Sequence, residues 1–324
     1  MKDRWQSPAV GRPQVLAFIF PGQGSQQVGM GKALSDAYPV CRQAFEEADD
    51  ALGEPLSRTI FEGPPEQLTL TENAQPAILT VSVAACRLLA SRGLTPSLVA
   101  GHSLGEYSAN VAAGTLSFAD AVGLVRRRGR YMQEAVPVGT GAMAAIFGLE
   151  AAKVEQACAE ASQGEVVGPA NLNAPGQIVI AGTRAAVERA AGRAKALGAR
   201  RSIPLLVSAP FHCTLMKPAE DRLAPELRGL DGPDPQVPIV ANVDAEPKRD
   251  RAAAVEALVR QVSLPVRWEA VVVRLASEGV TTYVEVGPGT VLSGLVRKIL
   301  PDTAVLSFSK PDDLATVEAS ITRP

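Results

Sequence analysis

The sequence predicts an α/β protein in which helices cover the faces of a parallel sheet and a small βαββαβ unit is set into the larger layer. Three observations carry that expectation. Apolar runs of strand length alternate with helical repeats along most of the 324 residues. A Gly-x-Ser-x-Gly turn lies between an apolar run and an alanine-rich segment within residues 97–113. From Gly141 to Val207 the pattern changes to strand, helix, strand, strand, helix, strand.

Residues 1–14, rich in Arg, Pro and Gln, are expected to form a loose tail. Residues 15–20 (VLAFIF) are continuously apolar, as in a strand buried on both faces. The run ends in Pro21-Gly22-Gln23-Gly24-Ser25-Gln26, a glycine-rich loop that fits neither nucleotide fingerprint. Gln27 stands where a third glycine is required, and Met30 stands where a phosphate loop needs lysine. What remains is a loop with free backbone N–H groups and the polar Gln23, at the strand end where open α/β sheets place ligands. Residues 31–71 read as helices and polar connections. Residues 77–90 have the spacing of a helix packed on the sheet, with Pro76 in its first turn.

Leu98, Val99 and Ala100 then lead into Gly101-His102-Ser103-Leu104-Gly105. Two glycines permit the close backbone approach of a sharp strand-to-helix turn, which lifts the Ser103 hydroxyl out of the sheet. Ser103 is therefore the candidate nucleophile. The bare pattern also arises by chance, but the flanking strand and helix argue for the turn. His102 should project away from the hydroxyl and makes a poor base.

A helix over residues 118–135 places Ala121, Leu124, Val125 and Met132 on one stripe, and Arg128 falls on it too. Arg126, Arg127 and Arg130 are free to point to water. A core-facing guanidinium is costly unless it is paired. Either Arg128 makes a structural ion pair with a carboxylate elsewhere, or it awaits an anionic substrate.

Within the inserted unit, strands are expected at 141–149, 166–172, 177–181 and 201–207, and helices at 151–162 and 184–197. This order is ferredoxin-like. Ser208-Ala209-Pro210-Phe211-His212-Cys213 follows. Only two histidines exist, so His212 is the base available to Ser103, although a lone histidine is commonly a packing residue. Cys213 reads as a small core residue. The last third alternates a strand at 238–242, helices at 252–262 and 265–277, a strand at 282–286 and a helix at 291–299. The division expected is an α/β-hydrolase-like core of residues 15–139 and 208–310, a ferredoxin-like subdomain of residues 140–207, and a second tail at 311–324.

Hydrophobic content of 46% and charged content of 20% suit a soluble globular chain. A net charge of −2 gives no reason to expect nucleic acid binding. Cys41, Cys86, Cys158 and Cys213 form no C-x-x-C pair, so neither a disulfide framework nor a metal site is suggested. With no apolar run near 18 residues and no leader, the expectation is a cytoplasmic protein without a membrane partner.

PGQGSQ, GHSLGEYSA, RRRGRYMQEA, GAMAAI, NLNAPGQIVIAG, SAPFHCTLM and VEVGPG, in that order over about residues 15–300, resemble the malonyl-coenzyme A:acyl carrier protein transacylases. That resemblance implies Ser103 as the residue that carries malonyl as an ester and His212 as its base. It implies N–H donors from Gln23 and Leu104 for the oxyanion and Arg128 for the malonyl carboxylate. The histidine-orienting carbonyl falls on Gln261, Asn173 has a supporting role, and Phe211 favours malonyl over methylmalonyl. The partners implied are malonyl-coenzyme A and an acyl carrier protein; no cofactor beyond the thioester is implied, and a monomer is expected. Carriers are acidic, so Arg193, Lys195, Arg200, Arg201, Arg297 and Lys298 are docking candidates, or ordinary solvated charges. Fatty acid synthesis is the principal pathway implied, with loading of a polyketide synthase as the alternative. A serine thioesterase is a more distant reading, since no histidine follows His212 and Arg128 would have no task.

Overall fold

A computed structural model describes residues 14–321, so residues 1–13 of the expected N-terminal tail lie outside it. The strands in chain order are β1 (Leu16–Phe20), β2 (Leu98–Gly101), β3 (Gly141–Phe147), β4 (Val167–Ala174), β5 (Gln177–Thr183), β6 (Arg201–Pro204), β7 (Ile239–Val240), β8 (Pro247–Lys248), β9 (Thr282–Val286) and β10 (Ala304–Phe308). Six form one sheet in the order β10-β9-β1-β2-β7-β8, parallel except for β8. The other four form an antiparallel sheet in the order β4-β5-β3-β6, the ferredoxin-like arrangement.

The apolar run in β1 is explained by its central place. Leu16, Phe18 and Phe20 face one core with Ile78, Leu79, Leu124 and Val125. Ala17 and Ile19 face the other, with Trp268, Val271, Leu275 and Leu295. Neither face meets water, so alternation with polar residues is lost. The small sheet has its own core, where Ile146, Ile178 and Ile180 meet Val154 and Val187 of the helices Ala151–Ser162 and Arg184–Ala196. A short parallel bridge between Asn171 and Val266 ties the small sheet to the segment before the helix Trp268–Ser277, and Leu172 N–H donates to the Val266 carbonyl at 2.9 Å.

Several features differ from the sequence reading. The helix Lys217–Gly229 and the strands β8 and β10 were not expected, the strand expected at 238–242 shortens to Ile239–Val240, and the helix expected from 265 begins at Trp268. The helix expected at 77–90 runs Thr71–Ser91, with Pro76 inside it rather than in its first turn. It is long and apolar enough to cross a membrane, which the sequence reading did not allow, but 78% of its apolar window is buried in this fold. The stretch 311–324, expected to be a tail, contains the helix Asp313–Ile321, held by Leu314 and Val317 in the core beside β10. Finally, β6 ends at Pro204; residues 205–207 leave the sheet, and Leu206 is fully exposed.

Candidate active site

β2 ends where the helix Gly105–Ala112 begins, and the turn between them sets Ser103 at φ +51°. That left-handed conformation costs a non-glycine residue on the order of 1–2 kcal/mol. The glycines on either side make it possible. A Cβ on Gly101 would lie 2.0 Å from the Gly105 carbonyl, and one on Gly105 would lie 2.0 Å from the Phe20 carbonyl. The turn is thus pressed against the end of β1, and the hydroxyl points into a cleft of about 400 Å³.

Ser103 Oγ lies 2.7 Å from His212 Nε2, and His212 Nδ1 lies 2.9 Å from the Gln261 carbonyl. A carbonyl only accepts, so Nδ1 carries the proton and Nε2 is free to take one from the serine. Burial, and next the positive charge of Arg128, lower the His212 pKa from 6.5 to about 3, although the Gln261 carbonyl pulls the other way. The imidazole is therefore neutral at physiological pH. The hydroxyl, imidazole and carbonyl together can remove a proton, attack a carbonyl carbon and return the proton to a leaving group.

Arg128 is 2% exposed yet lines the cleft. Its Nη1 donates to Gln75 Oε1 at 2.7 Å, and its Nη2 donates to Gln261 Oε1 at 2.9 Å and to Ser103 Oγ at 3.3 Å. Its Nε finds no partner among the described residues. The neighbouring arginines behave otherwise: Arg126 pairs with Glu54, Arg127 with Glu226 and Arg130 with Glu134. Of the two readings of Arg128, the structural ion pair finds no carboxylate within 4.0 Å among the described residues; Glu106 acts on it by charge only, with the Gln261 amide between them. Burial lowers its pKa, the mark of a charge held away from water.

The other expected residues are placed as follows. Gln23 lines the cleft, and its side-chain amide donates to Thr71 Oγ1 at 3.3 Å. Leu104 follows Ser103 at φ −50°, the start of helical backbone. Ser103's own N–H is already donated to Asn242 Oδ1 at 2.8 Å, which leaves oxyanion donation to other groups. Phe211 lines the cleft next to His212 and is 8% exposed. Asn173 does not line it. Its Oδ1 lies 2.8 Å from His102 Nε2, and Asn171 of the same motif is the residue at the cleft wall. Cys213 is no rival nucleophile, because burial raises its thiol to about 11. Of the docking candidates, Arg193 pairs with Glu160, Arg297 donates to the Val305 carbonyl, and Lys298 donates to Gln177.

Gln75, Glu106 and Asn242 went unread in the sequence. Gln75 sits in the helical turns before Ala77, which the sequence reading left out. Glu106 was in view within GHSLGEYSA, and Asn242 ended the strand expected at 238–242, but neither shows its task without its partners. No group of three or more His, Cys, Asp or Glu side chains among the described residues could hold a metal ion.

Residues 17–312 match the family model described as the acyl transferase domain. The chain is 51% identical over 307 residues to the malonyl CoA-acyl carrier protein transacylase of Bacillus subtilis strain 168, covering 94% of this chain and 96% of that one. A crystal structure of an acyl carrier protein S-malonyltransferase from Vibrio cholerae superposes with a TM-score of 0.92 at 48% identity, covering 93% and 99%. A further solved chain, from a type II PKS acyl-carrier protein in complex with its malonyl-transacylase, gives 0.93 at 47% identity, covering 95% and 100%. With the serine, histidine and unpaired arginine already in one cleft, these matches leave one assignment: the chain belongs to the acyl transferase family, among the malonyl CoA-acyl carrier protein transacylases.

Proposed function

We propose that this chain moves a malonyl group from malonyl-coenzyme A to the phosphopantetheine thiol of an acyl carrier protein, through a malonyl ester on Ser103, in fatty acid synthesis. The observation that carries the reading is Arg128, a buried guanidinium without a carboxylate partner, whose Nη2 is 3.3 Å from the Ser103 hydroxyl. A free acid on the acyl group is the anion that such a site accepts.

In the first half, His212 Nε2 takes the Ser103 proton while Oγ attacks the thioester carbon. N–H donors from Gln23 and Leu104 receive the oxyanion, each worth about 3–4 kcal/mol. The carbon–sulfur bond breaks, and the departing thiolate takes the proton from His212. In the second half His212 deprotonates the carrier's thiol, the thiolate attacks the ester, and the carbon–oxygen bond breaks as Ser103 regains its proton. The course is ping-pong. Gln261 holds the imidazole through its backbone carbonyl, and Asn173 supports the turn through His102.

Phe211 narrows the cleft beside the base and favours malonyl over its branched homologue. We take residues 15–139 and 208–310 as the catalytic subdomain and 140–207 as the inserted one. The reading also comprises a cytoplasmic monomer that uses no cofactor besides its thioester substrate. Loading of a polyketide synthase is the second reading, because one similar solved chain serves a type II PKS carrier.

Intact-mass analysis tests the reading. After mixing with malonyl-coenzyme A the protein gains one malonyl group, loses it to an added carrier thiol, and gains little from the methylmalonyl thioester. Ser103→Ala gains nothing. A malonyl adduct that persists in Ser103→Ala overturns the assignment.

A further inference from the structure

The chemistry above leaves without a task a buried carboxylate that lies three residues from the nucleophile. Glu106 lies in the first turn of the helix Gly105–Ala112, three residues after Ser103, and is 1% exposed. Burial pushes its carboxyl from 4.5 up to about 7. An acid in such a place is unfavourable for packing alone, so its worth lies in what it holds. Its Oε2 accepts from Asn242 N–H at 3.1 Å and from Gln261 Nε2 at 2.8 Å.

The second of these contacts bears on the substrate. Gln261 Nε2 also donates to the Ser103 carbonyl at 2.9 Å. A third contact, to Asn242 Oδ1, is longer at 3.4 Å. All three groups facing that nitrogen are acceptors, so the amide's NH2 must point to them and its Oε1 must point away. Away from them is Arg128, whose Nη2 donates to that oxygen at 2.9 Å. With the amide turned over, NH2 would face guanidinium, donor against donor, and Arg128 would lose one of the two side-chain amides that aim it. His212 is not affected in the same way, because it contacts the backbone carbonyl of Gln261 rather than the amide.

We infer that Glu106 is a positioning residue: by fixing which way the Gln261 amide points, it aims the Arg128 guanidinium and so sets the preference for malonyl over uncharged acyl groups. The assignment rests on the transacylase reading.

Single-turnover loading of the full chain with malonyl- and acetyl-coenzyme A, read by intact mass, tests it. Glu106→Met removes the acceptor at nearly constant length. Its malonyl-over-acetyl preference falls about tenfold, the loss of one charge-assisted hydrogen bond, and the fall appears in the KM for malonyl-coenzyme A more than in kcat. Glu106→Gln, whose amide oxygen still accepts, restores most of the preference. Equal losses for both thioesters, or an unchanged preference, overturn the assignment. Gln261→Met carries the test from the other end while keeping the carbonyl under His212, and an unchanged preference there overturns it as well. Wild-type protein in the same series separates the two claims. No malonyl adduct there overturns the transacylase reading and this assignment with it; an adduct with the preference intact in the variants overturns this assignment alone.

Discussion

His212 meets Ser103 as a neutral imidazole, the form that the proposed role of base requires. Burial and the nearby Arg128 hold its pKa at about 3, below the ordinary 6.5, so the neutral form persists through the mildly acidic range. The acid limb of kcat/KM for malonyl loading should therefore fall below pH 6.5, and Arg128→Ala should move it upward by removing the largest lowering cause after burial. A wild-type limb at 6.5 or above, in a pH profile of single-turnover loading, contradicts this. Stability follows the same sign: the unfolded chain takes up the His212 proton near 6.5 and the folded chain does not until about 3. Its contribution is thus complete above 6.5 and is lost as pH falls through that window. Arg128 was legible in the sequence because a charge fell on an apolar stripe, and Ser103 because two glycines framed it. Gln75, Glu106 and Asn242 were not legible. Their roles exist only through partners far along the chain, 53 positions for Gln75 with Arg128 and 155 for Gln261 with Glu106.

The strand-to-helix turn depends on the missing side chains at its edges as much as on the serine it presents. At Gly105 the obstacle to a side chain is the Phe20 carbonyl, which is backbone in the central strand and cannot swing aside. Gly105→Ala is expected to displace the turn and reduce malonyl loading by at least two orders of magnitude, a loss of the size that misplacing a reacting group causes. Loading at the wild-type rate would show that the close approach is not required. At this level the pattern was legible in β1 and in the helix Phe118–Glu134, but the helix Lys217–Gly229, which buries Ala219, Leu223, Ala224 and Leu227, and the strand β10 went unread. It also failed where the signal was short. The helix Asp313–Ile321 buries only Leu314 and Val317, too few residues for a stripe to stand out. The turns before Ala77 carry the polar Thr71, Glu72 and Gln75, of which Thr71 and Gln75 face the cleft rather than an apolar core.

Across the molecule, the cleft lies where the two sheets approach one another, with Met143 and Asn171 of the small sheet facing Ser103 and Arg128 of the large domain. The small sheet is joined to the rest of the molecule by the bridge from Asn171 to Val266 and by the contact between Asn173 and His102, just past the end of β2. Both run through NLNAPG, which explains why that motif matters although Asn173 never reaches the cleft. The alternation of elements foretold two layers, but not the strand order or the position of one layer over the other, which depend on pairings between distant segments. What the whole arrangement accomplishes is to hold a buried guanidinium, without a carboxylate in contact, beside the hydroxyl proposed to accept the acyl group. The most direct test is a competition between malonyl- and acetyl-coenzyme A for Ser103 in wild type and Arg128→Ala, read as the ratio of the two adducts by intact mass. A bidentate charge-assisted contact of about 1.5–3 kcal/mol corresponds to a preference roughly 10- to 150-fold weaker in the variant, with acetyl loading retained. A malonyl-to-acetyl ratio equal to that of the wild type would contradict the role given to Arg128.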